Sequence, residues 1–235
     1  MTVGAMRDTD EHSHATTRGE VEPDLDVHAP PARSLKYSLM LLSMSVAWAA
    51  LLGQFGRGNI YWIMGPYAVA MSTVLLTLRS ESLLRTLHPN ARNVAIGCAV
   101  GVAMTVATYP AFWLAQQRFP QLTANVAQLY RQSHDEALVI ALLWVVVLAA
   151  AEELLWRGAW VEALTARFGA LGAGTLSVLI YAGAQLGSRS FIVCLLAICC
   201  GAIWTVERYY TRSLVAPLIS HLIWTPTTIL LFPVT

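Results

Sequence analysis

The chain has 235 residues, of which 56% are hydrophobic and 12% charged, and its mean hydropathy is +0.55. Soluble domains carry about 25% charged residues, so most of this chain is neither disordered nor an ordinary water-soluble domain. A net charge of +1 gives no reason to expect a nucleic-acid partner.

Residues 1–34 hold seven acids, three arginines and three of the six histidines. They lack apolar periodicity and end in Ala29-Pro30-Pro31, so a disordered acidic tail is expected there. No apolar run follows the first basic residue, which argues against a secretory leader. From residue 35 to 235 the chain reads as one transmembrane helical domain. Long apolar runs alternate with short polar breaks, and a spanning helix needs about 20 mainly apolar residues. Seven runs qualify: 35–53, 59–78, 93–115, 137–164, 172–187, 190–207 and 213–232. Gly187-Ser188-Arg189-Ser190 separates the fifth and sixth as a tight hairpin. The runs do not alternate as barrel strands do, and helices satisfy their backbone groups internally, as hydrocarbon demands. The expected fold is an all-α, polytopic bundle of about seven membrane helices. Gly169, Gly172, Gly174, Gly183 and Gly187 permit close helix approach.

With the N-terminus inside, the inner ends hold Arg33, Lys36, Arg79, Arg85, Arg92, Arg167, Arg208 and Arg212. The outer ends hold Arg57, Arg118, Arg131 and Arg189. This bias favours a cytoplasmic N-terminus in the cell (inner) membrane. Cys98, Cys194, Cys199 and Cys200 lie in apolar runs without metal or redox spacing, so they read as buried, small hydrophobic residues.

Outside the tail the acids are few: Glu81, Asp135, Glu136, Glu152, Glu153, Glu162 and Glu207. Asp135-Glu136 suits the N-terminal dipole of the fourth helix, and Glu207-Arg208 reads as a solvated or snorkelling pair at a helix end. Glu152-Glu153 interrupts the fourth apolar run, where an ionisable residue costs about 2.5–3.5 kcal/mol and needs a partner or a wet cavity. Glu153 and Arg157 are four apart, share a helix face and can pair. Glu152 is five from Arg157, about 140° round an α-helix, and points elsewhere. One carboxylate is then structural, and the other is left for general-base work. The alternative is a buried polar cluster that only fixes helix packing. Trp144, Trp156, Trp160, Trp204 and Trp224 read as packing or interface residues, with a substrate path as the other option.

Glu152-Glu153-x-x-x-Arg157 inside a membrane helix resembles the first motif of the CAAX-protease and bacteriocin-processing family. These are intramembrane proteases related to the type II prenyl-protein endopeptidase. The family's second motif is Phe-x-x-x-His. Here Tyr181 stands for the phenylalanine and Gln185 for the histidine. The third is His-x-x-x-Asn or Asp, represented by His221 and Thr225. The resemblance spans about 137–232.

The resemblance implies that Glu152, with Gln185 in the histidine's place, activates a water. It implies that His221 and Thr225 stabilise the oxyanion, and that Glu153 and Arg157 support them. A glutamine can hold a water but cannot exchange protons. A catalytic zinc usually needs three protein ligands. The intramembrane candidates are Glu152, Glu153 and His221, with Glu153 taken by Arg157, so no metal or other cofactor is expected. The partners implied are membrane lipid and a peptide or membrane-anchored protein substrate. The substrate would be a prenylated tail, a leader or a C-terminal sorting segment. A catalytically impaired relative, acting as a membrane scaffold, chaperone or immunity-type protein, is the competing expectation. A proton-coupled transporter ranks last, for want of internal repeats.

Overall fold

The computed structural model describes residues 1, 31–54, 58–119 and 136–233. Most of the expected acidic tail, together with Arg57, Arg131 and Asp135, lies outside the described residues. Within them the regular structure is helical: α1 (Pro31–Leu52), α2 (Ile60–Leu78), α3 (Ser80–Thr86), α4 (Ala91–Arg118), α5 (Leu138–Glu152), α6 (Val161–Gln185), α7 (Phe191–Thr211) and α8 (Val215–Pro226). A π-helical turn, Glu153–Trp160, joins α5 to α6, and a second, Thr227–Leu231, ends α8. The all-helical membrane fold expected from the sequence is therefore present. The short α3 has no counterpart among the seven apolar runs; its end accepts hydrogen bonds at Thr86 O from Leu214 N and Ser213 Oγ.

Among the described residues, five helical runs are long and apolar enough to cross a membrane, one of them the 51-residue run Leu138–Ser188. At 1.5 Å per residue a straight helix of that length would far exceed the roughly 30 Å hydrocarbon core. It folds back instead. Gly169 breaks α6 with φ 65° and ψ 177°, a conformation that only glycine adopts without strain. The return arm then lies antiparallel to the first: Ser177 Oγ donates to Trp156 O, and Tyr181 Oη donates to Glu152. This reversal falls between the fourth and fifth expected spans. The expected hairpin also forms, through a single 3₁₀ turn Leu186–Ser188 and Arg189 in the left-handed region. The last apolar helix, Val215–Leu231, is shorter than a full span.

Cross-helix contacts define the two ends of the bundle. At one end Arg79 pairs with Glu162 at 2.9 Å and lies over the Tyr37 ring. At the other, Glu136 accepts hydrogen bonds from Asn59 Nδ2 and Trp62 Nε1, and Tyr109 Oη donates to Phe232 O. By their places along the helices, Lys36, Arg79, Arg85, Arg92, Arg167, Arg208 and Arg212 share the first end, and Arg118 and Arg189 the second. The division of the described basic residues matches the sequence reading.

The core is built from large rings and small residues. Trp48, Trp156, Trp160, Trp204 and Trp224 are buried, which bears out packing for the four of these named from the sequence. Cys200 is buried, but Cys98 and Cys199 face outward. Their apolar setting is the exterior of the bundle rather than its core.

The contact of α4 with α8 depends on Gly97 and Gly101, a Gly-x-x-x-Gly spacing absent from the glycines singled out above. A Cβ on Gly97 would stand 2.6 Å from Ala216 O, and one on Gly101 2.9 Å from Ser220 Cα. Small residues at this spacing let backbones meet, and here they seat α8 against α4. Gly97→Val is expected to lower the unfolding midpoint in detergent, by overpacking of about 1–3 kcal/mol or more. Gly183→Ala, where nothing lies within 4 Å of the new methyl, should leave the midpoint level or slightly raised.

Candidate active site

Glu152 ends α5, halfway along the first arm of the long hairpin, and its side chain is 13% exposed. Both carboxylate oxygens are engaged from the return arm. Tyr181 Oη donates to Oε2 at 2.9 Å, and Gln185 Nε2 donates to Oε1 at 3.2 Å. Tyr181 and Gln185 are one helical turn apart and so share a face. Gln185 stands at the end of its helix, and it reaches Glu152 because that arm runs antiparallel.

Glu153 turns the other way. Its Oε1 accepts from Arg157 Nη1 at 3.2 Å and lies 2.9 Å from His221 Nδ1. Glu153 is 1% exposed and Arg157 fully buried. The pairing expected between these two is present, but the helix is π rather than α at this point. In a π-helix residues i and i+5 draw toward one line, so periodicity alone would not keep Glu152 from Arg157. Tyr181 and Gln185 draw Glu152 aside. Arg157 is then held between rings, its guanidinium 4.6 Å from the Tyr181 centroid and 5.1 Å from that of Trp204.

His221 comes from α8 and completes the group. Trp204 stacks on its ring at 3.8 Å and 17°. With Nδ1 against Glu153, the other nitrogen, Nε2, faces Glu152 Oε2 at 3.7 Å. That distance is too long for a direct hydrogen bond, and a single water could touch both atoms. Thr225 lies one turn further along α8. Its Oγ1 is buried without a hydrogen-bond partner among the described residues.

Glu152, Gln185 and His221 are thus brought together from α5, α6 and α8, with Glu153 and Arg157 behind them. Thr225 stands outside the bonded set. Glu207 corrects an expectation: it is not a solvated helix-end residue but 4% exposed, accepting from Ser220 Oγ at 2.5 Å. Ser220 immediately precedes His221, so this bond ties α7 to the histidine-bearing turn. Its neighbour Arg208 reaches back to donate to Arg157 O. The scarcity of acids was the signal that could have marked Glu207. The four-residue spacing to Gln185 was the corresponding signal for Tyr181. Nothing in the sequence singled out Trp204 as the ring beneath His221.

The donor set does not suit a catalytic zinc. Glu153 is engaged by Arg157 and His221 Nδ1, leaving Glu152 and His221 Nε2. These are two donors where three protein ligands are usual. Among the described residues no group of three His, Cys, Asp or Glu is arranged to hold a metal ion.

Fold and site together define a polytopic membrane protein with a glutamate–histidine centre inside its helical bundle. Residues 134–226 match the family model described as type II CAAX prenyl endopeptidase Rce1-like. Through that segment, which contains all the candidate site residues, the chain is similar to the CAAX-protease family of intramembrane endopeptidases. No curated protein and no solved structure matches the chain.

Proposed function

We propose that this chain is an intramembrane endopeptidase in which Glu152 is the general base for water attack on a peptide bond. The observation that carries this reading is the convergence of Glu152, Gln185 and His221 from three helices, with Nε2 of the histidine 3.7 Å from the carboxylate. A water between them loses a proton to Glu152 as its oxygen bonds to the scissile carbonyl carbon. Negative charge then develops on the carbonyl oxygen. The Thr225 hydroxyl beyond His221 is a donor on that side, and His221 Nε2 donates there only as the imidazolium, since Nδ1–H is taken by Glu153. The captured proton passes to the amine as the C–N bond breaks. Glu153, fixed by Arg157, holds the imidazole by Nδ1.

The substrate is a peptide presented near the membrane face: a prenylated tail, a leader or a C-terminal sorting segment. Residues 35–235 form the membrane domain, with lipid around it and the protease core at 137–232. The arginine-rich end faces the cytoplasm, in the cell membrane.

Gln185 favours a second reading. Its amide holds Glu152 but transfers no proton, so a catalytically impaired relative that binds peptide as a scaffold, chaperone or immunity-type protein retains support. One experiment separates the two. The purified chain in lipid vesicles is given prenylated, leader-like and C-terminal sorting peptides, and products are read by mass spectrometry. Cleavage by the wild-type chain is expected, and Gln185→His is expected to raise turnover about tenfold or more, since a general acid–base group is worth 10²–10⁴-fold. Peptide binding without cleavage, in both the wild type and Gln185→His, would leave the scaffold reading standing instead.

A further inference from the structure

We infer that Tyr181 is a positioning residue for Glu152, its hydroxyl fixing the carboxylate that Gln185 alone would hold by one oxygen. This rests on the reading of Glu152 as the base.

The phenol ring is buried, and three elements fix it. The Arg157 guanidinium lies 4.6 Å over its centroid, and the Trp156 ring is 5.4 Å away at 41°. On the third side is Gly201 of α7, where a Cβ would approach Tyr181 Cδ1 to 3.1 Å. A ring held so firmly directs its hydroxyl along one line, and on that line is Glu152 Oε2 at 2.9 Å. A buried hydroxyl needs a partner, and a carboxylate is the strongest acceptor a neutral donor can find.

The two donors are not equivalent. Tyr181 Oη sits closer to its oxygen than Gln185 Nε2 does, at 2.9 against 3.2 Å. Oε2, which Tyr181 holds, is also the oxygen that faces His221 Nε2. The hydroxyl therefore sets where the proton-accepting atom stands relative to the histidine and any water between them. In the resembled motif a phenylalanine occupies this position beside a histidine. Here the ring carries a hydroxyl and the histidine is an amide. Two donor groups share a task on one helix face.

Removing the hydroxyl keeps the ring and its packing, so Tyr181→Phe is expected to fold. In the vesicle assay it should lower kcat about 10- to 100-fold with KM within about twofold, since one charge-assisted hydrogen bond orients the base. Tyr181→Phe/Gln185→His should recover most of that loss. Unchanged kcat in Tyr181→Phe overturns the inference. So does a loss that follows only the fraction of folded protein. If the wild type cleaves no peptide, the protease reading fails on that result alone, and a second measurement decides this one. The infrared difference between the wild type and Glu152→Gln isolates the Glu152 carboxylate stretch. Tyr181→Phe should shift that band, and a band that stays in place shows that the hydroxyl does not hold the carboxylate.

Discussion

Glu152→Gln is expected to reduce peptide cleavage by about 10²–10⁴-fold, the range for loss of a general acid–base group, while the protein remains folded. Glutamine is nearly isosteric, and its amide oxygen can still accept from Tyr181 or Gln185. What it cannot do is take a proton from water. The contrast is with Glu162→Gln, which loses a part-exposed pairing to Arg79 and a bond from Ser82. Exposed ion pairs are worth about 0–1 kcal/mol, and Glu162 lies at the arginine-rich end, away from the centre. Turnover in Glu162→Gln should stay near the wild-type level. Product yield per folded molecule, with folding checked by unfolding midpoint, measures both. If Glu152→Gln cleaves as fast as the wild type, the base is some other group.

Arg157→Met should destabilise the fold by about 3–5 kcal/mol, the cost of leaving a buried charge without its partner. Arg157 is fully buried, pairs with Glu153, and packs between Tyr181 and Trp204. Its loss leaves Glu153, which is 1% exposed, with His221 Nδ1 as its remaining partner, and removes the cation from two ring faces. Glu153→Gln/Arg157→Met removes both charges at once and should regain much of the stability, because replacing a buried pair together is often nearly neutral. Unfolding in detergent micelles reads each variant. A single variant as stable as the wild type would show that Arg157 is not what neutralises Glu153.

The two predictions rest on different parts of one polar group, and they were legible to different degrees. That Glu153 pairs with Arg157 followed from a spacing of four, and the pair is present at 3.2 Å. That Glu152 turns elsewhere was argued from α-helical angles, yet the helix is π there. Its direction comes from donors on another helix. Glu207 shows the opposite limit: a carboxylate next to an arginine near a helix end looks solvated in a linear reading. Its burial depends on α8 folding back to present Ser220. Gly97 and Gly101 carried a readable spacing, but which helix they admit was decided by contact with Ala216 and Ser220.

The sequence alone determined the helical membrane class, the order of the apolar runs, the end at which each described basic residue lies and the glutamate pair on the fourth run. Each of these depends on local chain properties: run length, hydropathy and spacing along one helix. Only the tertiary structure decided which carboxylate meets which partner. Gly169 reverses the chain, so that Tyr181 and Gln185 arrive beside Glu152, and α8 brings His221 to Glu153. Contacts between residues 29 to 68 positions apart depend on how helices pack, and no periodicity within a single helix encodes them.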